Sequence, residues 1–166
     1  MTNNTEILVT VSVITYNSSK FILDTLNSIK NQTYKNIELI ISDDCSKDNT
    51  VEIAKEWLDN NKDRFSNSEL ITSTINTGVS ENKKRAIAKA KGEWLKSIAG
   101  DDILMDNCIL DNINFVKSNP DTKIICSNIK YFSIIDKQVK ILKTFTNKWT
   151  FFLDRNANPD IQYKSF

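Results

Sequence analysis

Histidine is missing from all 166 residues, and cysteine occurs only at Cys45, Cys108 and Cys126. With no CxxC pair and no zinc-type spacing, the cysteines supply neither a disulfide framework nor a structural metal site; they read as thiols of a reducing compartment, and no disulfide is expected. A dominant charge is missing too. Lys and Arg number 22 against 21 Asp and Glu, a formal +1, so no overall field draws nucleic acid or an anionic membrane. Any anion bound here is caught locally. The first residues, Met1 to Glu6, contain no basic segment ahead of an apolar stretch, and the longest apolar runs are strand-sized. This predicts a soluble chain with no transmembrane segment and a cytoplasmic setting, peripheral at most to the inner face of a membrane. No repeat, low-complexity tract or linker divides the sequence. One domain over residues 1–166 is expected, long enough to bury roughly two-thirds of its unfolded surface.

What the chain does contain is a regular alternation of apolar runs with helical patterns. Ile7 to Ile14 is β-branched and ends at the polar Thr15-Tyr16-Asn17, which predicts a buried strand feeding a loop. Phe21, Ile22, Leu26 and Ile29 recur at helical spacing until Asn31, with Ser18 or Ser19 as the expected cap. Ile37 to Ser42 is a second strand. After it Asp43 to Thr50 form a polar turn, and a helix carries Val51, Ile53, Ala54, Trp57 and Leu58. Glu69 to Ser73 supply a third strand, Ser80 to Lys91 a third helix with Gly92 at its C-cap, and Glu93 to Ile98 a fourth strand. A helix over Met105 to Lys117 follows. Strands at Lys123 to Ile135 and Val139 to Phe145, joined at Asp136-Lys137, then form a hairpin. Repeated βαβ units predict an α/β fold: a mostly parallel, Rossmann-like sheet with helices on both faces and an antiparallel edge. Trp57, Trp94 and Phe115 read as core, and Asp48-Asn49-Thr50 as a helix start. From Asn147 onward the aromatics Trp149, Phe151, Phe152, Tyr163 and Phe166 show no clear period.

Open α/β sheets bind ligands at the carboxyl ends of their strands. Four polar groups fall on those ends: Thr15-Tyr16-Asn17, Asp43-Asp44, Asn76-Thr77-Gly78 and Asp101-Asp102. The last is the most telling, because two adjacent carboxylates after a buried strand repel each other unless a cation sits there. Alone, such a pair is as readily a helix cap; four groups sharing one crevice point to a site.

Three segments, Val11 to Asn17, Ser28 to Tyr34 and Ile37 to Thr50, resemble the N-terminal half of the family 2 glycosyltransferases of GT-A fold. The resemblance continues through Asn76-Thr77-Gly78-Val79-Ser80 and Ala90 to Leu95 into Gly100-Asp101-Asp102, and covers about residues 9 to 120. It implies transfer of a sugar, with inversion, from a nucleotide-diphosphate donor to a saccharide or lipid-linked acceptor, as in polysaccharide biosynthesis, with Mg²⁺ or Mn²⁺ at the diphosphate. By this resemblance Asp102 holds the metal and Asp101 contacts the ribose or assists the metal. Asp44 accepts a hydrogen bond from the base imide, and Thr15, Tyr16 and Asn17 line or stack on the base, making uracil the expected base. Gapless alignment puts Lys83 where the family has an arginine, with Lys84 and Arg85 beside it; a lysine there offers a point charge in place of a planar fork. The plain reading of Lys83-Lys84-Arg85 is an exposed helix face. Ala99 replaces a common first aspartate of the acidic motif, and Glu38 reads as structural near the site.

The family's catalytic carboxylate belongs to the second half of the fold, and no residue here matches it; Asp154 and Asp160 do not align. The reading therefore favours a piece of a longer enzyme over a natural short form. A phospho-receiver domain also carries an acidic pair, but after its first strand, where this chain has Thr15-Tyr16-Asn17. A nucleotide-sugar-binding module without turnover is the remaining alternative.

Overall fold

The structure is a computed structural model that describes residues 6–135 and 138–154. Six strands and four α-helices follow one another: β1 (Val9–Thr15), α1 (Ile22–Lys30), β2 (Ile37–Asp43), α2 (Thr50–Asn61), β3 (Asn67–Thr72), α3 (Val79–Lys89), β4 (Trp94–Ala99), α4 (Cys108–Ser118), β5 (Ile124–Ile135) and β6 (Gln138–Asp154). A short 3-10 turn, Lys62–Arg64, leads into β3. The strands form one sheet in the order β3-β2-β1-β4-β6-β5. β1 through β4 are parallel to one another where they pair, and β6 runs antiparallel to both β4 and β5. This is the α/β architecture expected.

Every residue of β1 and β2 is buried, as in strands covered on both faces. Val9, Val11 and Val13, with Ile37, Leu39 and Ile41, face one layer made by Ile22, Leu26 and Ile29 of α1, Ala54, Trp57 and Leu58 of α2, and Ile109, Ile113 and Val116 of α4. On the opposite face α3 packs on β1 and β2. That face is polar: Glu38 is fully buried, and its carboxylate accepts bonds from the Thr10 hydroxyl (2.6 Å), the Lys91 amide (2.7 Å) and Asn67 Nδ2 (3.2 Å). Burial raises the Glu38 carboxyl, but these donors outweigh it and hold it below its usual range. Glu38 is structural, as expected, but not near the site. It lies five residues before Asp43, roughly 17 Å along the strand from the carboxyl end.

Other local expectations change on contact with the fold. The third helix ends at Lys89, and Ala90, not Gly92, is its C-cap, in extended conformation. Gly92 is small for another reason: a Cβ there would lie 2.4 Å from the Thr10 nitrogen. Ser18 and Ser19 do not cap α1, which begins at Ile22; their amides bond Thr50 Oγ1 (2.8 Å) and Asp48 Oδ2 (3.1 Å), tying this loop to the start of α2. Asp48 does start that helix, accepting from the Thr50 amide at 3.1 Å. α4 begins at Cys108 because the Met105 carbonyl is drawn off into a turn, accepting from Gln32 Nε2 (2.9 Å) and the Cys108 amide (2.8 Å). Trp57 and Trp94 are core, whereas Phe115 is half exposed, off the buried stripe of Ile109, Asn112, Ile113 and Val116. The hairpin extends beyond Phe145 to Asp154, held by pairing to β4 as well as β5. Its turn at Asp136-Lys137, and Asp160, Tyr163 and Phe166, lie outside the described residues.

Candidate functional site

The carboxyl ends of β1, β2 and β4 and the loop after β3 meet around Thr15. Its carbonyl accepts from the Asp44 amide (3.0 Å) and from Asn82 Nδ2 of α3 (3.2 Å), and its hydroxyl donates to Asp43 Oδ1 at 2.7 Å. The Gly100 amide bonds the Ile14 carbonyl at 2.9 Å. A Cβ on Gly100 would lie 2.8 Å from the Thr15 methyl, so the Asp101–Asp102 turn is seated directly on the end of β1. The four groups thus adjoin one another at the carboxyl edge of the sheet.

Within it the predicted residues take distinct positions. Thr15 is buried and its hydroxyl is committed to Asp43, leaving Tyr16, 47% exposed, as the aromatic surface of that loop. Asn17 has φ of 51°, and its side-chain oxygen accepts from the Lys47 amide at 2.8 Å, bracing the loop after β2. Asp43 accepts from both the amide and the hydroxyl of Ser46, the usual self-bonding of an aspartate turn.

Asp44 is buried and surrounded by donors. Oδ2 accepts from the Thr77 amide (2.9 Å) and the Gly78 amide (2.7 Å); Oδ1 accepts from the Thr77 hydroxyl (2.6 Å) and Arg85 Nη2 (3.2 Å). Burial raises its carboxyl, but this set of bonds wins and holds it below the ordinary range. Four donors fill the four lone-pair directions of a carboxylate, so a base imide reaches Asp44 only by displacing one of them. Gly78 stands at the start of α3 with φ of 85° and ψ of 164°, a conformation essentially confined to glycine, and this aims its amide at Asp44.

Arg85 is the residue that sequence reasoning passed over. Its guanidinium also donates to the Thr77 hydroxyl (2.8 Å) and Asn82 Oδ1 (3.2 Å). The signal was available: Asn82, Arg85 and Ala86 fall at i, i+3 and i+4, and Asn82 and Ala86 are the buried residues of α3. Lys84 is exposed and paired with Glu81 at 2.6 Å. Lys83 is also exposed, and its charge acts on Asp102.

Asp101 and Asp102 are solvent-accessible at the turn after β4. The Asp102 amide bonds the Ala99 carbonyl at 3.2 Å. The protein packed around Asp102, and the neighbouring charge of Asp101, raise its carboxyl above the usual range, while Lys96 and Lys83 pull the other way. Among the described residues no three His, Cys, Asp or Glu side chains converge on one point. Two hard carboxylates nonetheless suit Mg²⁺ or Mn²⁺ when substrate phosphates and waters complete the shell. Among the described residues no helix is long and apolar enough to cross a membrane. Cys45, Cys108 and Cys126 are free thiols.

Comparison with known proteins gives the fold and the family. The chain is 31% identical over 140 residues to an Escherichia coli UDP-Glc:alpha-D-GlcNAc-diphosphoundecaprenol beta-1,3-glucosyltransferase, WfaP, covering 84% of this chain and 51% of the relative. It is 35% identical over 103 residues to the Streptococcus pneumoniae glycosyltransferase GlyG, covering 61% of this chain and 33% of the relative. The crystal structure of S. aureus TarS 1-349 in complex with UDP matches 72% of this chain and 35% of its own, with a TM-score of 0.65 and 26% identity. The chain spans about a fifth to a half of the length of the curated relatives it matches. The family model described as Glycosyl transferase family 2 matches residues 10–166, and the chain belongs to that family.

Proposed function

We propose that this chain is the nucleotide-sugar-binding part of a glycosyltransferase that takes a UDP-sugar as donor and works with Mg²⁺ or Mn²⁺. The observation that carries the reading is the seating of the Asp101–Asp102 turn on Thr15, beside the Asp44, Thr77, Gly78 and Arg85 cluster. The cluster is a base-reading wall: Tyr16 offers a ring face, and Arg85 supplies the basic group for which Lys83 stands in the gapless alignment. Asp44 meets the imide when Arg85 or Thr77 gives up its bond, or else fixes those donors for the base carbonyls. Asp101 takes the ribose and Asp102 the cation. Lys83 stands toward the diphosphate.

A divalent cation on Asp102 would neutralise charge gathering on the departing diphosphate. In inverting transfer the acceptor oxygen bonds to the anomeric carbon as the bond from that carbon to the phosphate oxygen breaks, and a carboxylate takes the acceptor's proton. We place that base, and the acceptor site for a saccharide or lipid-linked alcohol, outside the described residues. UDP complexes of the related TarS support the choice of base.

Thermal-shift titration with UDP and GDP in the presence of Mn²⁺ tests this. UDP is expected to stabilise the chain more than GDP does, and Arg85→Lys to weaken UDP by about tenfold, one charged hydrogen bond's worth. Equal shifts for the two nucleotides would remove the uracil assignment.

A further inference from the structure

Beneath the Asp101–Asp102 turn lies a cavity of about 560 Å³, bounded by β4, α4 and the start of β5. Lys96 lines it. This lysine is the third residue of β4, in register with Val11 of β1, on the sheet face that otherwise carries Val11, Leu39, Trp94 and Ile98. It is 1% exposed, the bulkiest of the fully buried side chains among the described residues. An apolar row beside α4 has room for leucine or valine, and an ammonium placed there gives up most of its hydration. The opposite charge it does meet is Asp102. The two line the same cavity and act on each other electrostatically, with Cys108 and Cys126 as the other groups that act on Lys96.

The charges around the cavity give the pair its meaning. Asp101, Asp102 and Asp111 stand against Lys96 and Lys130. A diphosphate approaching two bare carboxylates is repelled, and a fixed cation behind them offsets that repulsion. The same cation repels a divalent ion that seeks the carboxylates. We propose that Lys96 is a built-in counter-charge to Asp102, which lets the turn hold a nucleoside diphosphate without a divalent cation and loosens the cation's own hold on Asp102. This rests on the turn being the diphosphate end of a nucleotide-sugar site.

One substitution should therefore move two affinities in opposite directions. Lys96→Met keeps the length of the side chain and removes its charge, and Lys96→Gln is the second variant should the first fail to fold. Mn²⁺ binding to the nucleotide-free chain is read by the loss of the free-ion electron paramagnetic resonance signal, and UDP binding in EDTA by calorimetry. The expected result is Mn²⁺ bound about tenfold more tightly and metal-free UDP bound about tenfold more weakly, the scale of one unit charge at short range inside a protein. In an Asp102→Asn background Mn²⁺ should bind weakly whether or not Lys96 is present, because the carboxylate that holds it is gone. Unchanged affinities in both arms would overturn the proposal, as would Mn²⁺ bound to Asp102→Asn as tightly as to the wild type. If wild type binds UDP neither with nor without Mn²⁺, the nucleotide reading itself fails, whatever the Mn²⁺ arm shows.

Discussion

Single side chains in this crevice do their work mainly by filling another group's hydrogen-bonding capacity. Asp48 shows it most simply. Its carboxylate takes the Ser19 amide at 3.1 Å and the Thr50 amide at 3.1 Å, together with the Thr50 hydroxyl, joining the loop after β1 to the start of α2. Burial works against the charge, yet these bonds hold the Asp48 carboxyl down at about 2. A carboxyl whose folded value lies below its ordinary 3.8 contributes stability that is present above that value and is lost as pH falls toward 2. Asp48→Ala should cost about 1 kcal/mol at neutral pH, the scale of a lost helix cap. Urea unfolding of both proteins should show the gap closing between pH 4 and pH 2; a gap independent of pH would mean the charge is not what matters. Asp44 follows the same logic with more donors, so its environment is set before any ligand arrives.

Elements place these residues through close backbone approach as much as through apolar packing. Gly92 lets the segment between α3 and β4 lie against β1, its amide donating to Thr10 Oγ1 at 2.9 Å. Gly92→Ala drives a Cβ to 2.4 Å from the Thr10 nitrogen and 2.9 Å from the Leu8 carbonyl oxygen. Backbone on both sides cannot swing away, so the cost should reach about 3 kcal/mol, at the upper end of overpacking. A melting temperature within a degree of wild type would contradict that packing. The periodicities made the strands and helices legible to within a few residues, because β-branched runs and i, i+4 apolar pairs report burial directly. Ends were less legible. Ser18 and Ser19 looked like caps but bond to α2, and Gly92 looked like a helix stop but serves a close approach: tertiary partners, invisible in a local window, decided both. Arg85 was missed for a related reason. Alignment counted positions from Gly78 and arrived at Lys83, while the helix turns Arg85, two residues on, toward Asp44.

At the scale of the whole molecule, the sheet order β3-β2-β1-β4-β6-β5 sets the division of labour. Loops after β1, β2 and β3 gather on one side of the Asp101–Asp102 turn, and the cavity floored by Lys96 lies on the other, lined by β4, α4 and β5. In the proposed mode a donor laid across this surface would have its base at Arg85 and its diphosphate at the turn, with what it carries beyond the diphosphate toward the far side. Thr15, Asp44 and the acidic turn were all readable as one crevice from sequence, since each closes a predicted strand. Lys96 was not, because nothing in the sequence separates a buried lysine from an exposed one until the register of β4 against β1 is known.

The proposed role of the acidic turn is to hold a nucleoside diphosphate more tightly once a divalent ion joins it. Isothermal calorimetry with UDP, with and without Mn²⁺, on the wild-type chain and on Asp102→Asn tests it most directly. Mn²⁺ should tighten UDP binding to the wild type, and Asp102→Asn should abolish most of that gain while leaving the fold's melting temperature near the wild-type value. A folded wild-type chain whose affinity for UDP is the same with and without Mn²⁺, or whose Mn²⁺ effect survives in Asp102→Asn, would contradict the account.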